Sequence, residues 1–224
     1  MRILDLFCGA GGAAMGYHQA FPDAEIVGVD SRPMPRYPFT FIQADALEYV
    51  LEHGHEFDFI HASPPCQRYS SISRVSGVST RHPDLLSATR NALEATGKPY
   101  VIENVVGAPL VNPVVLCGSM FGLGATCRDG KWRQLRRHRL FESNVPMIAP
   151  TCQHEGEPVG VYGHGGGQAK TVWNGGTKRG YMGTTMERKN AMNIYWMTRD
   201  ELSQAIPPAY TEWIGKQLIP LLST

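Results

Sequence analysis

Short apolar runs and helical stripes alternate along the first half of this chain. Arg2 to Phe7 is an apolar run that breaks at Cys8-Gly9-Ala10-Gly11-Gly12, after which Ala13, Ala14, Tyr17 and Ala20 keep helical spacing to Phe21. Strand, glycine turn and helix follow one another, and such a turn brings backbone close to a ligand in front of the free amides of a helix N-terminus. Glu25 to Val29 predicts a second strand ending on Asp30, and Phe39 to Gln43 a third, closing on Asp45 before a helix over Ala46 to Glu52. An acid at the end of a second strand is either the partner of ribose hydroxyls in a nucleotide pocket or a solvated carboxylate. Asp45 has two compatible roles, a helix cap and an acceptor for an adenine amine.

Phe57 to His61 predicts a fourth strand, ended by Pro64-Pro65, which cannot donate to a ladder. Cys66 is thereby presented on a strand-end loop, where ligands of open α/β sheets bind, and is a candidate nucleophile. A basic, hydroxyl-rich loop from Arg68 to Arg81 follows, suited to phosphate contacts. Leu85, Leu86, Thr89, Ala92 and Leu93 mark a helix stopped by Gly97, and Lys98 to Ile102 a strand that delivers Glu103-Asn104-Val105 to the same edge as Cys66.

The pattern then weakens. Val114 to Phe121 reads as a strand and turn; Arg133, Arg136, Arg137 and Arg139 lead into the apolar pair Leu140-Phe141, which turns Arg139 inward. From Asn144 to Asn190 glycine dominates, with Lys170, Trp173, Lys178, Arg179 and Tyr181 interleaved, and the segment reads as a small irregular lobe with little core of its own. A helix starting at Thr198-Arg199-Asp200-Glu201 is broken by Ala205-Ile206-Pro207-Pro208, and Tyr210 to Leu222 is a last helix. We expect an α/β domain over residues 1–143, the lobe over 144–190 and helices returning to the domain over 191–224.

Composition narrows the classes. At 224 residues, 42% hydrophobic and 18% charged, the chain suits one folded domain, and 24 glycines and 16 prolines make it loop-rich. A net charge of +1 gives no global pull toward nucleic acid or membrane, so a polyanion needs a local patch. Five cysteines without regular spacing argue against a disulfide framework and for a reducing compartment. No apolar run approaches the ~20 residues of a membrane span, and no export signal is expected. Cys117, Cys127, Cys152 and His154 are candidate zinc ligands by type, but none of them forms a Cys-x-x-Cys pair, and no metal is expected.

With Asp5-Leu6-Phe7-Cys8-Gly9-Ala10-Gly11-Gly12, Pro64-Pro65-Cys66-Gln67, Glu103-Asn104-Val105, Arg137-His138-Arg139 and Ala205-Ile206-Pro207-Pro208 in this order, the chain resembles the DNA (cytosine-5) methyltransferase family nearly end to end. The resemblance implies a Rossmann-like S-adenosylmethionine-dependent methyltransferase sheet. It implies that Phe7, Gly9, Ala10, Gly11, Gly12, Asp30, Asp45, Pro64 and Gln204 line the S-adenosylmethionine site. Cys66 would be the nucleophile, with Glu103 and Arg139 on the target base and Arg137 in support. Gln67, Arg68, Arg74, Lys170, Lys178, Arg179 and Arg188 would meet double-stranded DNA.

The chemistry asks for the same set. Carbon 5 of cytosine is a weak nucleophile until a thiolate adds to carbon 6; an acid near ring nitrogen 3 stabilises that addition, and the base must leave the stack to be reached. The chain departs from the family at Leu135, where a glutamine is usual, and at Ser203-Gln204, where Gly-Asn is usual. Its recognition segment is short, which predicts a short or degenerate DNA target. Two other readings compete: a tRNA cytosine-5 methyltransferase, and a catalytically idle module that binds S-adenosylmethionine or DNA. The expected protein is a monomer in the cytoplasm of a bacterial or phage-infected cell, with or without a restriction enzyme as partner.

Overall fold

The computed structural model describes residues 1–65, 85–163 and 181–222. Its centre is a seven-stranded sheet in the order β3-β2-β1-β4-β5-β9-β6. The strands are β1 (Arg2–Leu6), β2 (Glu25–Asp30), β3 (Thr40–Gln43), β4 (Phe59–Ala62), β5 (Tyr100–Asn104), β6 (Val114–Leu116) and β9 (Arg139–Ser143). The first five are parallel, while β9 runs antiparallel to both β5 and β6.

Parallel strands must be covered on both faces, and the sequence supplies two apolar faces by alternation. Leu4, Val27, Ile60 and Ile102 join one buried cluster with Val50, Leu86 and Leu93; Ile3, Ile26, Phe59 and Val101 join another with Tyr17, Tyr210 and Ile214. The first cluster is roofed by α2 (Ala46–His53) and α3 (Leu85–Thr96), the second by α1 (Gly12–Ala20) and α6 (Pro208–Leu222). Helices α1 and α6 pack so closely that a Cβ on Gly16 would strike the Pro208 carbonyl, and one on Gly12 the Ile206 carbonyl. The chain's last helix therefore lies against its first, behind the glycine turn.

The antiparallel end is fastened by polar side chains. Glu142 on β9 takes both nitrogens of Arg90 from α3, at 2.6 and 2.7 Å, and the Val111 amide at 2.6 Å. A hairpin of β7 (Gly124–Thr126) and β8 (Trp132–Gln134) and a parallel pair of β10 (Val159–Gly160) and β11 (Tyr181–Met182) complete the strands among the described residues.

The glycine-rich segment holds more core than its composition suggests. Val159 and Val161 enter a third buried cluster with Leu135, Ala191, Met192, Ile194 and Leu202. Helix α4 (Thr185–Met192) lies where no element was expected. Its inner face includes Glu187 and Arg188, both buried, so no apolar stripe announces it. Thr184 and Glu187 make a reciprocal capping box at its start, and a similar box of Thr198 and Glu201 opens α5 (Arg199–Gln204). Among the described residues no helix is long and apolar enough to cross a membrane.

Candidate functional site

The order of the sheet reverses between β1 and β4, which puts a crevice beyond their carboxyl ends. Three stretches reach that edge. The first is the turn after β1, where Phe7, Gly9 and Gly11 take positive φ of 56°, 49° and 81°. Among the described residues, a Cβ on Gly9 would meet nothing within 4 Å, so they leave open space in front of this backbone. Asp30, at the end of β2, accepts the Gly9 amide at 3.1 Å and the Arg32 amide at 3.0 Å, bracing the turn from beside it. Asp45 caps α2 through Oδ1, which takes the Leu47 and Glu48 amides at 2.8 and 3.0 Å. From the far end of the chain the Trp196 indole donates to the Ala10 carbonyl at 2.8 Å.

Behind the turn, Asp5 is buried and accepts the Tyr37 hydroxyl at 3.3 Å. Burial, and then the charge of Asp30, hold its carboxyl well above the usual carboxylate range.

The second stretch is Ser63 to Pro65 beyond β4. Asn104, wholly within the core at the end of β5, donates to the Pro64 carbonyl at 3.1 Å and accepts the Val105 amide at 2.9 Å. It ties the proline loop to the strand that carries Glu103. His61 bridges the Tyr17 hydroxyl, 2.9 Å from Nδ1, and the Ser63 hydroxyl, 3.0 Å from Nε2. Burial lowers its pKa to about 3, so the ring is neutral, donating at one nitrogen and accepting at the other. Neither Asn104 nor His61 was singled out by sequence as a site residue. Asn104 belongs to the Glu103-Asn104-Val105 motif, but nothing in the pattern marks His61.

The third stretch is Glu103 with the start of β9. Arg139 Nε stands 2.9 Å from Glu103 Oε1, and the two side chains are 16% and 9% exposed. Arg139 thus turns inward, as its place before Leu140-Phe141 implied. Burial raises the Glu103 pKa, while Arg139, Arg137 and the Ser63 hydroxyl pull it back. Polar groups therefore run from Tyr17 through His61 and Ser63 to Glu103.

The remaining expected residues divide. Arg137 is buried and spends its guanidinium on the carbonyls of Ser203, Val161 and Ala205 at 2.7, 2.8 and 3.0 Å. It clamps α5 and the loop after β10 onto the strand. Gln204 is exposed at the end of α5. Arg188 was expected on DNA and is fully buried, donating to the Gly183 and Gly163 carbonyls at 2.9 and 3.2 Å; a side chain enclosed in this way does not meet a phosphate. Cys66, Gln67, Arg68, Arg74, Lys170, Lys178 and Arg179 lie outside the described residues. Of the candidate metal ligands, Cys127 lies apart, while Cys117, Cys152 and His154 meet one another and His138, although no short Cys-x-x-Cys spacing announces the meeting.

The model of the C-5 cytosine-specific DNA methylase family matches residues 1–110. Among curated proteins, the type II methyltransferase M.XorII of Xanthomonas oryzae pv. oryzae is 28% identical over 118 residues, 46% of this chain and 28% of that protein. The type II methyltransferase M.AgeI of Thalassovita gelatinovora is 28% identical over 122 residues, 48% of this chain and 28% of its own. The matches thus span little more than a quarter of those relatives. The solved structure of the Entamoeba histolytica methyltransferase EhMeth superposes with a TM-score of 0.58 at 11% identity, covering 99% of this chain and 98% of that one, a likeness of fold. Glycine turn, proline loop and Glu103 all fall within the matched segment, so residues 1–110 are similar to the C-5 cytosine-specific DNA methylase family.

Proposed function

We propose that the chain is a DNA (cytosine-5) methyltransferase that uses S-adenosylmethionine and a covalent adduct through Cys66. The observation that carries the reading is the meeting, at one sheet edge, of the glycine turn, the Ser63–Pro65 loop and the Glu103–Arg139 pair. Phe7 to Gly12, Asp30 and Asp45 fit the cofactor, because backbone at Gly9 faces open space among the described residues, Asp30 ends β2 and Asp45 stands two residues beyond the end of β3. When bound there, S-adenosylmethionine supplies an electrophilic methyl group.

Cys66 follows the proline loop that Asn104 holds to β5. Its thiolate adds to carbon 6 of a flipped-out cytosine, and carbon 5 gains the electron density it needs to take a methyl group. Glu103, with its pKa raised by burial, carries a proton to ring nitrogen 3, and Arg139 holds the base carbonyl. Loss of the carbon 5 proton to a base then breaks the carbon–sulfur bond and returns the thiolate. Arg137 acts at one remove, by fixing the strand start from which Arg139 projects.

The test is transfer of labelled methyl from S-adenosylmethionine to duplex DNA, with tRNA in parallel. Methylation of DNA at cytosine carbon 5 is expected, together with a stable adduct on DNA carrying 5-fluorocytosine. Cys66→Ser should abolish both and leave cofactor affinity unchanged. Turnover retained by Cys66→Ser overturns the covalent mechanism, and labelling of tRNA alone overturns the substrate.

A further inference from the structure

We infer that Cys117, His138, Cys152 and His154 form a tetrahedral zinc site. One ligand atom from each lies within 4.8 Å of all the others. Cys152 Sγ is 2.9 Å from His154 Nε2 and 3.5 Å from His138 Nε2, and Cys117 Sγ is 3.4 Å from His154 Nε2. A tetrahedral zinc, with sulfur at about 2.3 Å and nitrogen at about 2.0 Å, sets sulfur–nitrogen edges of about 3.5 Å and a sulfur–sulfur edge of about 3.8 Å. Two of these sulfur–nitrogen distances, 3.4 and 3.5 Å, stand at nearly that edge and the third, 2.9 Å, is shorter, with both imidazoles presenting Nε2. The Ser119 hydroxyl lies 3.4 Å from Cys117 Sγ and 3.5 Å from Cys152 Sγ, where it can donate to a thiolate.

The backbone explains why these four meet. Strands β6 and β9 pair with Leu116 opposite Arg139, so the next residues outward, Cys117 and His138, face each other beyond the ladder. Cys152 and His154 come from the segment after β9, which is fastened near them. The Glu155 amide donates to the Gln134 side chain at 2.9 Å, and Arg136 donates to the Gly156 carbonyl at 2.5 Å.

Two thiolates and two neutral imidazoles around a divalent ion give a neutral centre, which adds no charge beside Arg136 and Arg139. Binding releases two protons, one from each thiol. Two sulfurs and two imidazole nitrogens in a closed tetrahedron suit zinc and leave no open position, so the ion would be structural.

Zinc there would join the end of β6, the start of β9 and the Cys152–His154 segment at one point. His138 stands between Arg137 and Arg139, so the ion would fix the strand start that aims Arg139 at Glu103. This consequence rests on the role proposed above for that pair, whereas the metal site does not.

The test is metal content. Protein expressed with zinc and purified without chelator should carry one zinc per chain, released stoichiometrically when a mercurial reagent titrates the thiols. Cys152→Ser and His154→Ala should lose the metal on desalting, and Cys127→Ser should keep it. Cobalt in place of zinc should show the intense visible bands of a tetrahedral site and thiolate-to-cobalt charge transfer, a readout on the unaltered chain should the variants not fold. Folded protein that carries no zinc and takes up neither zinc nor cobalt overturns the site, as does a Cys117–Cys152 disulfide in freshly purified protein. Zinc retained by Cys152→Ser but lost by Cys127→Ser overturns the ligand set. None of these readouts needs methylation, so a chain that binds zinc and methylates nothing would sink the proposed function alone.

Discussion

The candidate site has two walls, and they are held by different means. At the β1–β4 switch the wall is main chain: the parallel ladder carries the glycine turn and the proline loop, and nearby side chains such as Asp30 and Asn104 bond back onto that backbone. At the β5–β9–β6 end the pairing is antiparallel, and charged side chains reach across it. Arg90 and Glu142 join a helix to β9, and Arg137 gathers three carbonyls from two later segments. A backbone wall tolerates changes of side chain unless a Cβ has no room. A side-chain wall fails when one head group is lost, because buried carbonyls are left without donors.

Arg137 is the sharpest test of the second wall. Arg137→Met should cost roughly 4 kcal/mol, since one buried and two part-buried carbonyls lose their donor at once. Arg139→Met, two residues away, leaves Glu103 free to take up a proton, so it should cost less, roughly 2 kcal/mol, and yet slow methyl transfer by about a hundredfold, as removal of an electrostatic contact to the reacting base would. Urea unfolding and single-turnover methylation separate the two; equal loss of stability in both variants would erase the division of labour between these arginines.

The first wall should break at Gly16. Its Cβ would collide with the Pro208 carbonyl, the Thr211 hydroxyl and the Glu212 amide, and the two carbonyl and amide groups belong to backbone. Gly16→Ala should therefore destabilise by about 3 kcal/mol, although alanine favours helix elsewhere. A variant as stable as the parent in urea would mean that α1 and α6 can part at little cost.

The polar run beneath the site should show itself in acid. His61 is buried with its pKa lowered to about 3, whereas the unfolded ring titrates near 6.5. Below the unfolded value the unfolded chain binds a proton that the native chain refuses, so stability falls as pH drops from 6.5 toward 3. The loss attributable to this one ring is about 2 kcal/mol between pH 6.5 and 5. His61→Gln should flatten that part of the profile. An unchanged slope in thermal unfolding across this range would show that the ring is not kept neutral.

The two walls also differ in how far the residues announced them. In the first half, alternation and helical spacing gave strands close to those observed, because a sheet buried on both faces needs apolar residues locally. The exceptions are instructive: β1 stops at Leu6 because Phe7 turns to positive φ, and Phe57, read as strand, instead caps a short 3-10 turn while remaining buried. In the second half the decisive contacts are long-range and polar. Helix α4 turns Glu187 and Arg188 inward, Arg137 was expected in support of the base contacts and instead holds carbonyls of two later segments, and His138 meets Cys117 only through the register of β6 and β9. Spacing along the chain carries no trace of such meetings.

The smallest effect concerns Asp45, where the two halves of one carboxylate can be told apart. Oδ1 accepts both capping amides of α2, at 2.8 and 3.0 Å, so the cap needs only that oxygen. Serine and asparagine cap about as well as aspartate, whereas alanine at such a position costs about 1 kcal/mol. Asp45→Ser should therefore leave unfolding within a few tenths of a kcal/mol of the parent while shortening the reach toward the crevice and removing the charge. If Asp45 also accepts the adenine amine of S-adenosylmethionine, the variant should bind that cofactor several-fold more weakly, a loss of about 1 kcal/mol for one hydrogen bond. Calorimetric titration with S-adenosylmethionine, beside thermal unfolding without it, reads the two roles independently. Affinity unchanged in Asp45→Ser, with Asp45→Ala destabilised by the expected amount, would leave Asp45 as a helix cap alone and confine the acidic wall of the cofactor site to Asp30.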